Sequence, residues 1–171
     1  MKCPFTCKNN PLRALLVLAA ALSAGFLAFA LVSQYGFGQF PCELCIKQRI
    51  PYAVIIVLAL PFTLKRFSEK ARGRVAALCL LLFLIDGGIA FYHTGVELHW
   101  LPGPTSCTSS TEPQTLEEMR RAIMEAELVS CDQPMAHFMG LSMAAWNGVA
   151  ALGSALLMAL GLRCARRKAA A

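Results

Sequence analysis

The stretch LRALLVLAAALSAGFLAFALV, residues 12–32, decides the fold: 21 residues carrying one charge, Arg13, at its edge. A bilayer's hydrocarbon core is crossed by about 20 mostly apolar residues of helix. Residues 75–92 supply 18 more with a single charge, Asp86, and residues 142–162 supply 21 with none. Residues 50–64 are too few, about 22 Å of helix at ~1.5 Å per residue, so that helix is expected to begin within residues 42–49. The composition agrees: 57% of the 171 residues are apolar and 15% charged, against roughly 45–50% and about 25% in soluble globular chains. A disordered protein, a nucleic-acid-binding arm and a water-exposed amphipathic bundle are thereby excluded. The expected fold is an all-α membrane protein, a four-transmembrane-helix bundle forming a single domain over residues 1–171. Its spans are expected at about 12–32, 44–64, 75–93 and 142–162.

The first span has a basic start (Lys2, Lys8, Arg13) and an Ala28-Phe29-Ala30 of cleavage-site type. Its apolar stretch exceeds the ~7–15 residues of a signal peptide's core, so a retained helix is expected. Ala20, Ala24 and Ala28, spaced four apart, are expected to let another helix approach closely in lipid.

Charge gives orientation. Lys2, Lys8 and Arg13, then Lys65, Arg66, Lys70, Arg72 and Arg74, then Arg163, Arg166, Arg167 and Lys168 make 12 of the 16 basic residues. In a four-span chain all of them fall on one side. By the positive-inside rule both termini face the cytoplasm, and loops at about 33–43 and 94–141 face outward. The net charge of +6 is therefore a topology signal, and no pattern supports nucleic-acid binding.

The eight cysteines then sort by compartment. Cys3, Cys7 and Cys164 fall on the reducing side, and Cys79 lies inside a span, where a thiol packs as a small apolar group. Cys42, Cys45, Cys107 and Cys131 lie on the outward, disulfide-permissive side. Cys42-Glu43-Leu44-Cys45 is a C-x-x-C at a helix start, where the helix terminus stabilises a thiolate. Arg49 follows Cys45 by one turn on the same face, placed to stabilise a thiolate or a reduced oxygen. By itself the motif also suits a zinc half-site or a structural clip. A c-type haem is excluded, because Ile46 follows Cys45 where a histidine is required.

The long outward loop holds the other two cysteines. Thr115-Leu116-Glu117-Glu118 reads as a capping box, and Leu116, Met119, Ile123 and Ala126 recur at helical spacing. A short amphipathic helix lying in the membrane interface is expected there. A Cys107–Cys131 bridge enclosing it would contribute roughly 3–4 kcal/mol by chain entropy, so a purely structural staple stands beside a redox role.

On these residues the chain resembles the DsbB family, the disulfide bond formation proteins of bacterial inner membranes. The resemblance covers nearly the whole chain. It is carried by Gln34, by Pro41-Cys42-Glu43-Leu44-Cys45-Ile46-Lys47-Gln48-Arg49, and by Tyr92-His93. It continues through Trp100 to Cys107, Cys131, and Phe138-Met139-Gly140-Leu141 leading to Trp146. The resemblance implies a protein-dithiol:quinone oxidoreductase. A periplasmic DsbA-like thioredoxin-fold partner would attack Cys107–Cys131, and electrons would pass to Cys42–Cys45 and on to a membrane quinone, ubiquinone or menaquinone. Arg49, with His93 and Gln34, would hold that quinone, and no metal is expected. The segment before the last span lacks a proline that some members carry, which leaves its quinone contacts open. Asp86, inside a span, is a functional candidate by default, with a proton-sharing or backbone-bonded structural role beside it. From other classes, a membrane metal-binding or assembly factor using Cys ligands and a structural protein with two stapling disulfides remain alternatives. Quinone reduction by a reduced partner separates them.

Overall fold

The computed structural model describes residues 10–64, 66–104, 115–117, 131 and 137–170. Four long helices dominate: α1 (Pro11–Gly36), α2 (Glu43–Phe62), α3 (Glu69–Glu97) and α4 (Met143–Ala170). Each is long and apolar enough to cross a membrane. The 20 residues of α2 span about 30 Å, the thickness of the hydrocarbon core. The chain gains the missing length by starting this helix at the C-x-x-C motif, as its short apolar run requires. Beyond the membrane helices, two short strands, β1 (His137–Phe138) and β2 (Leu141–Ser142), pair antiparallel. Their two-residue turn, Met139 and Gly140, has φ of 53° and 80°, the type I′ geometry that matches strand twist. Of the expected interfacial helix, Leu116 and Glu117 are helical; the rest lies outside the described residues.

Local chemistry fixes each helix start. Pro11 opens α1, where its missing N–H costs nothing. Ser68 caps α3 by accepting from the Ala71 N–H, and Ser142 accepts from the Ala145 N–H at the start of α4. The turn between α2 and α3 is closed by Arg72, which is buried (3% exposed) although it counts among the topology-setting cations. Its Nε donates to the Phe62 carbonyl at 3.1 Å and its Nη2 to the Leu64 carbonyl at 2.7 Å, while Nη1 pairs with Glu69. Those carbonyls close the C-terminal end of α2, where the last turn has no intrahelical donors.

Inward faces are narrow. Leu15, Leu16, Ala19 and Ser23 of α1 meet Tyr52, Ile55 and Ala59 of α2, Cys79 and Phe83 of α3, and Ala155 and Met158 of α4. Most other large apolar side chains, such as Val57 and Phe91, point outward, as helices that are apolar all round do in lipid. The alanine stripe is not the packing face: Ala20 is buried, but Ala24 and Ala28 are exposed. Steps of four residues advance about 40° beyond a full turn, so the stripe drifts off the bundle face after one step. Close approach is provided elsewhere by glycine. A Cβ on Gly87 of α3 would lie 2.8 Å from Leu152 Cδ2 of α4, and one on Gly161 of α4 would lie 2.5 Å from Leu15 Cδ1 of α1.

One polar chain crosses this apolar interior. Tyr52 Oη donates to Asn147 Oδ1 at 2.7 Å, and Asn147 Nδ2 donates to Asp86 Oδ2 at 3.0 Å. Asp86 is fully buried, and its Oδ1 has no partner among the described residues. The side chain thus ties α3 to α4, and through Asn147 to α2. The bonds it makes are to side chains, not to backbone.

Candidate functional site

At the entrance to α2 the two C-x-x-C residues occupy unequal positions. Cys42 is the helix N-cap, and its sulfur accepts from the Cys45 N–H at 3.3 Å. Cys45 lies one turn inside the helix. Both are thiols, and the Cys42 S–H donates to Cys45 Sγ across 2.9 Å. The Cys42 thiol is pushed up to about 12, first by this hydrogen bond to Cys45 and next by burial. Cys42 therefore keeps its proton while Cys45 presents an accepting sulfur.

His93, from the last turns of α3, brings Nε2 to 3.5 Å from Cys42 Sγ. That contact opposes the upward shift at Cys42, as a base beside a thiol does. On the next turn Glu97 places Oε1 3.7 Å from the same Nε2, and both side chains are buried. Glu97 Oε2 and His93 Nδ1 are buried without partners among the described residues. Just past the helix, Tyr92 Oη donates to the Pro102 carbonyl at 2.8 Å, and the N–H groups of Trp100 and Leu101 both reach the Gly95 carbonyl. The residues leading toward Cys107 are thus folded back against the end of α3. Cys107 itself lies outside the described residues.

Cys131 is buried in one cluster with Cys42, Leu44 and Val96, against which Cys45 and Tyr92 pack. One cysteine of the long loop therefore sits beside the C-x-x-C pair although 86 residues separate it from Cys45. Away from the pair, Cys79 is a fully buried thiol in the helical core. Cys164 near the end of α4 is disulfide-bonded, contrary to the reduced state expected for its side of the membrane. Cys3 and Cys7 lie outside the described residues.

A cavity of about 700 Å³ runs inward from this cluster between α1, α2 and α4. Its walls are mostly apolar, with Phe26, Tyr52 and Ala150 deep in it and the exposed rings of Phe29 and Phe40 among its lining residues. The polar groups concentrate near the cysteines. Arg49 Nη1 donates to Gln34 Oε1 at 2.6 Å, joining α2 to α1, and both side chains line the cavity together with Cys45 and His93. Gln34 thereby positions the guanidinium. Gln48 also lines the cavity, 6% exposed, and its Nε2 finds no acceptor among the described residues. From the segment before the last span, Met143, Ala144, Trp146 and Asn147 complete the wall, so this segment reaches the cavity without the proline.

Four residues of this site were not singled out from the sequence: Gln48, Glu97, Tyr52 and Asn147. The first two had a readable signal. Gln48 follows Cys45 by three residues and Glu97 follows His93 by four, spacings that share a helix face. Nothing local marks Tyr52 or Asn147, which meet only when α2 and α4 pack.

The mostly apolar walls would take an apolar ligand, with the Arg49 guanidinium and the Gln48 amide as donors to it.

The family model described as "Disulfide bond formation protein DsbB" matches residues 12–161. "Disulfide bond formation protein B" of Xylella fastidiosa is 33% identical over 150 residues, covering 84% of this chain and 86% of that protein. Its namesake in Xanthomonas campestris is 32% identical over 151 residues, with the same coverage of 84% and 86%. "Disulfide bond formation protein B 1" of Pseudomonas putida is 28% identical over 169 residues, covering 96% of this chain and 98% of that protein. A match that runs from the first span into the last carries the likeness through the whole helical bundle, not the cysteine motif alone. The chain belongs to the DsbB family, multi-pass proteins of the bacterial inner membrane that generate disulfide bonds.

Proposed function

We propose that this protein oxidises a DsbA-like periplasmic dithiol protein and passes the electrons through two cysteine pairs to a membrane quinone. The observation that carries this reading is a shared location. Cys131, the C-x-x-C pair and the Arg49–Gln34 pair all border one apolar cavity or the cluster at its mouth. In the first exchange the partner's two thiols become a disulfide and Cys107–Cys131 becomes a dithiol. In the second, Cys107–Cys131 reforms and Cys42–Cys45 takes the electron pair. Exchange requires a thiolate in line with an accessible sulfur, and Cys131 is the loop cysteine packed where that can occur. Topology follows the charge distribution: both termini cytoplasmic, the four cysteines periplasmic.

Regenerating the Cys42–Cys45 disulfide needs an acceptor for two electrons and two protons, which a bound quinone supplies and side chains do not. Residues of the protein itself support this reading. Cys42 holds its proton tightly, so it becomes a nucleophile only when a base takes that proton, and His93 Nε2 is within reach. Glu97 Oε1 lies 3.7 Å from the same nitrogen. Arg49, held by Gln34, would hold a quinone oxygen and stabilise negative charge on it. The Gln48 amide is free to donate to a carbonyl.

The test follows quinone absorbance while the purified protein meets a reduced DsbA-type partner. Quinone reduction is expected with the parent protein and its loss, at least a hundredfold, in Cys45→Ser. Full activity in Cys45→Ser, or partner oxidation with no quinone consumed by the parent, would sink this reading.

A further inference from the structure

The geometry around the C-x-x-C pair has a second chemical consequence. Cys42 Sγ, Cys45 Sγ and one nitrogen of His93 all lie within 4.8 Å of one another, Cys42 and His93 being buried and Cys45 half-buried. Tetrahedral zinc with bonds of about 2.3 Å to sulfur and about 2.0–2.1 Å to nitrogen sets neighbouring S and N about 3.6 Å apart. The Cys42 Sγ–His93 Nε2 separation is already 3.5 Å. The two sulfurs, at 2.9 Å, must part to about 3.8 Å, a small side-chain rotation for Cys45.

Charge points the same way. A divalent cation with two thiolates and a neutral imidazole is neutral overall, which a buried site requires. The Glu97 side chain packs against the same site, its Oε1 3.7 Å from the ligating nitrogen and its Oε2 without a hydrogen-bond partner among the described residues.

We propose that the reduced Cys42–Cys45 pair and His93 form a binding site for a thiophilic divalent cation, Zn²⁺ or Cd²⁺, present only in the dithiol state. Binding is not a redox step. Two S–H bonds break, two metal–sulfur bonds form, two protons pass to solvent, and each sulfur keeps its oxidation state. The disulfide offers no thiolate, so oxidation abolishes the site. A bound cation engages both sulfurs and halts electron flow at the second pair. That last consequence rests on the proposed relay; the binding itself does not.

The experiment titrates Cd²⁺ into the full-length protein in detergent micelles, reduced and freed of reductant, with Cys3, Cys7, Cys107 and Cys164 replaced by serine. Thiolate-to-cadmium absorption in the ultraviolet reports binding. One equivalent is expected, and none after oxidation with diamide. His93→Gln is expected to weaken binding at least tenfold, and His93→Cys to restore it because a thiolate replaces the imidazole. Equal affinity in the parent and His93→Gln, or binding that survives oxidation, overturns the site. So does a loss in Cys131→Ser as large as that in His93→Gln, which would put the cation elsewhere. In the unmodified protein, Zn²⁺ is expected to stop quinone reduction and a chelator to restore it. Absence of any quinone reduction would remove the relay while leaving the cadmium result standing.

Discussion

Cys42 performs two tasks with one sulfur. It accepts the Cys45 N–H as helix cap and donates its own proton to Cys45. The second task makes the cysteines unequal although their motif is symmetric: both line the cavity, and Cys45 is left with the accepting sulfur. Gln48 shows the same economy in reverse. A buried amide without an acceptor costs about 1–3 kcal/mol, and a bound carbonyl in this cavity would offset that cost. Gln48→Leu is therefore expected to leave thermal stability unchanged or raised, while the KM for quinone rises roughly tenfold, as loss of one hydrogen bond of about 1.4 kcal/mol implies. A steady-state quinone titration alongside a melting curve checks both halves. An unchanged KM with lowered stability would make Gln48 a structural residue.

Among the elements, the turn from α2 to α3 depends on one side chain. Arg72 supplies donors to the Phe62 and Leu64 carbonyls from a buried position. Arg72→Leu removes both donors and is expected to cost about 1–3 kcal/mol for each carbonyl left unsatisfied. Arg72→Lys recovers only part, because an ammonium does not reproduce the fork of a guanidinium. Thermal unfolding in detergent, followed by circular dichroism, measures the difference. Equal melting of Leu, Lys and parent proteins would show that water closes this turn instead. The cation was read from the sequence as an orientation signal, and nothing in its neighbours distinguishes it from Arg74. Its burial is decided by where the chain turns back. The alanine stripe teaches the same lesson at helix scale: spacing on one helix says which residues share a face, whereas its partners determine which face is covered.

At the scale of the whole molecule, the proposed relay would depend on folding that cancels distance along the chain. Cys131 lies beside Cys42 because the loop from α3 to α4 returns to the mouth of α2. If Cys131 is the cysteine that exchanges with the C-x-x-C pair, the partner's mixed disulfide belongs on Cys107. Cys131→Ser is expected to accumulate a covalent complex with a DsbA-like partner, and Cys107→Ser to abolish it, as seen on non-reducing gels of trapped cells. The reverse pattern would invert the order of attack. Hydropathy alone determined the four membrane helices, because lipid leaves the backbone few alternatives to a helix of that length. The C-x-x-C motif and Arg49 were likewise legible, since one helical turn relates them. Only the tertiary structure decided that Gln34 anchors Arg49, that His93 and Glu97 converge on Cys42, and that Tyr52, Asn147 and Asp86 join three helices. Those contacts cross between helices whose surfaces are nearly uniformly apolar. Such surfaces carry no pattern to fix rotation or register, so only packing sets them.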